Sequence, residues 1–235
     1  MNVSSAIGNA HALVKVNSFI KSVYNWMAIG LALTACTALY VSNSETMLQL
    51  IFGNQLVFFG MIFGELGLVF YLSSRVQKMQ ASTATVLFVL YSILNGATLS
   101  CVFLMYTSAS IVSTFFVCAL TFGACSVYGM VTKRDLTSLG GFMIMGLFGI
   151  IIATVVNLFI QSSAMTMIIS YIGVVVFIGL TAYDTQKLKQ MALTLPDNAS
   201  GAMVRKGTIM GALTLYLDFI NLFIMLLHIF GISRD

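Results

Sequence analysis

Seven separate apolar runs dominate this chain, and each reaches the roughly 20 residues that cross about 30 Å of hydrocarbon as a helix. They are expected near residues 19–41, 55–74, 82–106, 109–132, 137–160, 164–187 and 208–231. Composition argues against a soluble domain. The 235 residues are 59% hydrophobic and 8% charged, where a soluble domain carries about 25% charged residues. The expectation is an all-α integral membrane protein with seven transmembrane helices in one domain, 19–231. A cytoplasmic arm, 1–18, precedes it, and a short tail, 232–235, follows. The links are short except 188–207, which holds Pro196, Asp197 and Asn198 and reads as a cytoplasmic loop. Met1 to Asn17 has no basic-then-apolar signal with a small-residue cleavage site, so the first run is expected to be retained as a span.

The basic residues give an orientation. Lys15 and Lys21 precede the first span, Arg75 and Lys78 follow the second, and Lys133 and Arg134 follow the fourth. Lys187, Lys189, Arg205 and Lys206 flank the long loop. The intervening links contain no lysine or arginine, so ten of the eleven positive charges fall on one side and Arg234 alone on the other. By the positive-inside rule the N-terminus is cytoplasmic, and seven crossings put Asp235 outside. The net charge of +4 therefore reflects a lipid bilayer as partner and no nucleic acid. Cys36, Cys101, Cys118 and Cys125 all lie in apolar runs without a C-x-x-C pair, which makes them packing residues. No cofactor is expected. Gly123, Ser126 and Gly129 in the fourth span, and Gly140, Gly141, Gly146 and Gly149 in the fifth, would let helix backbones approach closely. Ser92, Asn95, Gly96, Ser100 and Asn157 are expected in interhelical contacts.

Few ionisable residues sit within or at the ends of spans: Lys21, Glu65, Arg75, Asp184, Asp218 and His228. Lys21 can snorkel to the cytoplasmic interface. Asp218 lies near the middle of the last span, where a charge costs at least about 2.5–3.5 kcal/mol. Helical spacing places Gly211, Thr214, Asp218, Asn221, Met225 and His228 on one stripe of that span, turned to other helices or water. Asp184 ends the sixth span. A loop joins the two helices, so the aspartates can face one another, although Asp184 then sits near a span end and Asp218 about 15 Å in. Two carboxylates in contact in a poorly hydrated site share one proton, which makes a pH sensor and an acidic lining for a cation. Arg75, at the cytoplasmic end of the second span, is a candidate clamp for Asp184. Glu65, Asn221 and His228 are candidate members of an ion pathway or of a packing seam.

Gly179-Leu-Thr-Ala-Tyr-Asp-Thr-Gln-Lys187 and Ala212-Leu-Thr-Leu-Tyr-Leu-Asp-Phe-Ile-Asn-Leu-Phe223 closely resemble the Bax inhibitor-1 family, also called the transmembrane Bax-inhibitor-motif family. Tyr128-Gly-Met-Val-Thr-Lys-Arg-Asp-Leu136 is similar to its bacterial inner-membrane YbhL/YccA-like branch. The resemblance covers the chain from about Val23 to Gly231. It implies two three-helix layers around a central C-terminal helix, and a pH-sensitive calcium leak. It matches Asp184 and Asp218 to the family's paired aspartates, where Ca2+ would bind transiently. Arg75 corresponds to a basic latch on the first aspartate, and Glu65 to an acidic residue of the same helix.

The expected function is a pH-sensitive cation leak channel gated by Asp184 and Asp218, with no enzymatic activity. Three alternatives stand beside it. One is a non-transporting regulator of a partner such as a membrane protease, and another is a small-anion transporter. The third, an intramembrane aspartyl protease, fits Tyr183-Asp184 but not Leu215-Tyr-Leu-Asp218, whose bulky residues replace the Gly-x-Gly-Asp such enzymes carry. No catalytic Ser/His/Asp arrangement, H-E-x-x-H motif or phosphate loop is evident in the sequence.

Overall fold

The computed structural model describes residues 3–196 and 198–234; Met1, Asn2, Asp197 and Asp235 lie outside the described residues. Among those residues the regular structure is helical, with no β-strand. The helices are α1 Val3–Ser42, α2 Glu45–Phe52, α3 Gln55–Arg75, α4 Ala81–Leu99, α5 Cys101–Met105, α6 Ser108–Val131, α7 Thr137–Ile160, α8 Ser163–Thr194 and α9 Gly201–Phe230. Seven stretches are long and apolar enough to cross a membrane: Leu13–Ser42 of α1, α3, α4 with α5, α6, α7, α8 and α9.

Side-chain caps start several helices where the sequence turns apolar. Asn54 Oδ1 accepts the Leu56 N–H at 2.9 Å before α3, and Thr107 Oγ1 accepts the Ser110 N–H at 3.4 Å before α6. Each satisfies a backbone donor that has no intrahelical partner. The third span, expected as one helix over 82–106, is interrupted at Ser100. Its N–H and hydroxyl both turn back to the Ala97 carbonyl, at 3.4 and 2.6 Å, which ends α4 before α5 resumes.

Two expected boundaries move. α1 is helical from Val3, so the arm over 1–18 is largely helix. α8 runs on to Thr194 and α9 begins at Gly201, so the loop expected over 188–207 contracts to 195–200. The cause is in the residues: Leu188-Lys-Gln-Met-Ala-Leu-Thr194 are mostly strong helix formers, and Pro196 supplies the stop.

The chain divides into two compact units, Met1–Met105 with Gln190–Leu213, and Tyr106–Lys189 with Thr214–Asp235. In the first, α1 and α4 touch at Gly96, where a Cβ would lie 2.5 Å from the Thr34 carbonyl oxygen. Thr34 Oγ1 lies 2.9 Å from the carbonyl oxygens of both Gly30 and Ser92. The start of α9 is tied into this unit by its basic residues. Arg205 Nε donates to Thr85 Oγ1 at 3.2 Å and its guanidinium stands 5.7 Å from the Trp26 ring centre. Lys206 Nζ donates to the Gln77 carbonyl at 2.8 Å, and Lys15 donates to the Leu195 carbonyl.

In the second unit, glycine again sets how closely helices approach. A Cβ on Gly140 of α7 would lie 2.4 Å from the Tyr183 ring of α8, and one on Gly146 2.9 Å from Val176. Gly123, Gly141 and Gly149 have nothing within 4 Å, so the close contacts expected of them do not form. Asn157 closes the α7–α8 turn, donating to Thr166 Oγ1 at 2.8 Å and accepting the Ser162 N–H at 3.0 Å. Beyond α9 the tail binds back: Thr107 N–H donates to the Ile232 carbonyl at 3.1 Å, and Ile232 N–H to Ser110 Oγ at 2.9 Å.

The α6–α7 link is held by the end of α8. Gln186 accepts the Leu136 N–H at 2.9 Å and donates to the Arg134 carbonyl at 2.8 Å, while Lys189 donates to the Met130 carbonyl at 2.7 Å. Within the link, Asp135 accepts from the Thr137 hydroxyl at 2.6 Å and from its N–H at 2.9 Å. The Thr137 hydroxyl, then the Thr137 N–H, holds the Asp135 carboxyl below its ordinary value. A carboxyl depressed on folding stabilises above the unfolded value and loses that contribution as pH falls through the folded one. Asp135→Asn is therefore expected to melt below wild type at neutral pH, with the difference closing in acid, as followed by thermal denaturation in detergent.

Candidate functional site

Asp184 and Asp218 meet within the second unit. Their side chains are in hydrogen-bonding contact. An ionised carboxylate only accepts, so such a bond requires a proton on one of the two. Asp218 is 5% exposed, and Asp184 is half-buried. The chain brings them together through the antiparallel course of α8 and α9. Further along the same pair, a Cβ on Gly173 would lie 2.8 Å from Met225, and Ser170 Oγ is 3.2 Å from His228 Nδ1. Asp184 lies ten residues before the end of α8 at Thr194 and Asp218 seventeen residues after the start of α9 at Gly201, so the expected offset in depth along the two helices persists.

The surroundings of the pair are mostly apolar and tightly packed. Tyr216, Leu215 and Leu222 of α9 are fully buried, and Phe219 packs its ring 5.4 Å from that of Phe122 on α6. Asp184 lies in the field of one nearby cation, Lys187. That exposed ammonium stands 5.8 Å from the Tyr183 ring centre. Asp218 Oδ2 is buried and has no hydrogen-bond partner. A buried acceptor left bare costs about 1–3 kcal/mol.

The other expected residues have distinct settings. Asn221 spends its amide on its own helix, donating to the Leu217 carbonyl at 2.8 Å. Ser170 Oγ stands 2.8 Å from the Thr166 carbonyl oxygen and 3.2 Å from His228 Nδ1. Glu65, 9% exposed, accepts from Thr98 Oγ1 and, at 3.4 Å, from Asn95 Nδ2, both on α4. Glu65 belongs to the first unit. Arg75 closes α3 in that unit with an exposed side chain.

The sequence reading named Asn95 but missed Thr98 and Ser170 as partners. The signals were present: Thr98 follows Asn95 by three residues and so shares its face, and Ser170 and His228 are roughly equidistant from the two aspartates on antiparallel helices. Among the described residues no three His, Cys, Asp or Glu side chains cluster as a metal site. Calcium takes six to eight oxygens, so two carboxylates suit a passing ion better than a resident one.

These features define a helical integral membrane protein in which two aspartates on adjacent membrane helices are in contact. A family model described as "Inhibitor of apoptosis-promoting Bax1" matches residues 16–235. The chain is 51% identical over 219 residues to the inner membrane protein YbhL of Escherichia coli strain K12, covering 93% of each chain. It is 45% identical over 219 residues to an uncharacterized protein of Borreliella burgdorferi, covering 93% of this chain and 94% of that one. Against an uncharacterized membrane protein of Streptococcus pyogenes serotype M1 the identity is 36% over 221 residues, with 93% and 94% covered. The chain belongs to the Bax inhibitor family.

Proposed function

We propose that this protein is a pH-sensitive cation leak channel of the bacterial inner membrane, with calcium as its permeant ion. The observation that carries the reading is the buried contact between Asp184 and Asp218. With one proton shared, the pair ties α9 to α8 and the path is closed. Loss of that proton sets two negative charges against each other in a poorly hydrated site. α9 then shifts, and the carboxylates line the opening with negative charge for a cation. Asn221 and His228 continue the polar face of α9 along the route. The family resemblance alone suggests Glu65 as a second acidic station and Arg75 as a latch.

The same proposal includes a cytoplasmic N-terminus, an outward C-terminus and two layers of three helices around α9. The skewed placement of lysine and arginine supports the orientation. The burial of α9 supports its central place: 56% of its most apolar stretch is buried, against 39% for α8 and 6% for α3.

Ion flux in proteoliposomes of the purified protein tests this, comparing calcium with monovalent cations and small anions across pH. The expected result is calcium flux that rises as the pair loses its proton. Anion flux alone would replace the reading with small-anion transport. Absence of any flux, together with a co-purifying membrane protease, would replace it with a regulatory role.

A further inference from the structure

Helical spacing divides the surface of α8 among three neighbours. Val176, Gly179, Tyr183 and Gln186 recur at threes and fours, so they share one face. That face meets α7 and the link before it. A Cβ on Gly146 would lie 2.9 Å from Val176, one on Gly179 2.6 Å from Met143, and one on Gly140 2.4 Å from both Cγ and Cδ2 of Tyr183. Gln186 closes the row on the Leu136 N–H and the Arg134 carbonyl. Gly173 and Asp184 face α9 through Met225 and Asp218. Ala182 and Thr185 face α6 at Gly129.

Each residue of a helix is turned about 100° from the one before it. The rotation of α8 that seats Tyr183 on α7 is therefore the rotation that points Asp184 at α9. The closest contact in the α7 row is the one at Tyr183. The space that a Cβ on Gly140 would need is taken by the root of the ring and not by its free edge. A tyrosine in a helix has few χ1 rotamers open to it, so the ring cannot swing clear while α8 stays in place. Asp184 is acted on by Asp218 of α9 and by Lys187 of its own helix. α7 has no ionisable side chain, α6 has Cys118, Cys125 and the exposed Tyr128, and the link has the exposed Lys133, Arg134 and Asp135. Beyond Asp218, α9 carries Tyr216 and His228 in this unit. The direction in which Asp184 points therefore decides how it couples to Asp218.

We infer that Tyr183 is a positioning residue for the aspartate pair. Its ring, seated on Gly140, sets the rotation of α8 at which Asp184 reaches Asp218, and Gln186 ties that rotation to the α6–α7 link. A side chain at position 140 would turn α8 and re-aim Asp184. The inference deepens the reading of the pair as a proton sensor and rests on it.

Infrared titration of the purified protein in lipid nanodiscs tests it without any ion flux. A protonated carboxyl has a C=O stretch that disappears on ionisation, and the part of this signal missing from Asp184→Asn/Asp218→Asn belongs to the pair. In Gly140→Ala the pH at which that signal is half lost is expected to move by about one unit, a tenfold change in proton affinity. Tyr183→Phe keeps the ring and should titrate as wild type. So should Gly141→Ala, where a Cβ meets nothing within 4 Å. Gly96→Ala in the first unit, where a Cβ would lie 2.5 Å from the Thr34 carbonyl oxygen, should melt lower and still titrate as wild type. That control separates a change of aim from a general loss of stability. If Gly140→Ala does not fold, Tyr183→Ala, which removes the ring, is expected to shift the titration by a similar amount. A folded Gly140→Ala or Tyr183→Ala with the wild-type midpoint would overturn the inference and leave the sensor reading intact. A wild type without a titrating signal from the pair would overturn both.

Discussion

Gly129→Val is expected to destabilise the protein by about 3 kcal/mol, the upper end of what overpacking costs. The first carbon added at this position would stand 2.3 Å from the carbonyl oxygen of Ala182 and 3.1 Å from its carbonyl carbon. Those are backbone atoms of α8 and cannot rotate aside, so α6 and α8 must separate. The separation falls one turn from Asp184, so the variant should also loosen the aspartate pair. Gly123, six residues earlier on α6, is the matched control. Nothing lies within 4 Å of a Cβ there, and glycine inside a helix is about 1 kcal/mol worse than alanine. Gly123→Ala should therefore leave the melting temperature unchanged or raise it. Thermal unfolding of both variants in one detergent measures the difference.

That contrast also shows where the sequence stops being informative. The seven spans are legible because length and hydropathy alone decide them, and the aspartates because a carboxylate in an apolar helix must have a reason. Glycine composition cannot say which side of a helix meets a neighbour. Gly129 and Gly140 do, while Gly123 and Gly141 do not. The extension of α8 to Thr194 was readable in principle, since nothing from Leu188 to Thr194 breaks a helix. Pro196, Asp197 and Asn198 mark the loop in the sequence, but they lie beyond Thr194 and do not fix where α8 ends. For Glu65 the sequence leaves an ion pathway and a packing seam open, and it does not show that Asn95 and Thr98 of α4 both donate to its carboxylate.

The second large effect is on the response to pH. Asparagine keeps the shape of aspartate and can donate from Nδ2, so Asp218→Asn should preserve the contact with Asp184 and the fold around it. What it removes is the shared proton. One proton released on opening couples to the gate by up to about 1.4 kcal/mol, or about tenfold, per pH unit. A channel gated by this pair should therefore show a flux change approaching that slope, and Asp218→Asn and Asp184→Asn should each flatten it to within about twofold. His228 lies ten residues from Asp218 and is bonded to Ser170, so His228→Gln should leave the slope in place.

The central claim is that Asp184 and Asp218 are the proton sensor. Its most direct test is calcium flux across pH in proteoliposomes, with wild type measured beside Asp184→Asn/Asp218→Asn at matched protein content. A double variant that is folded and whose flux no longer changes with pH is the predicted result. A double variant that keeps the wild-type pH profile would contradict the account.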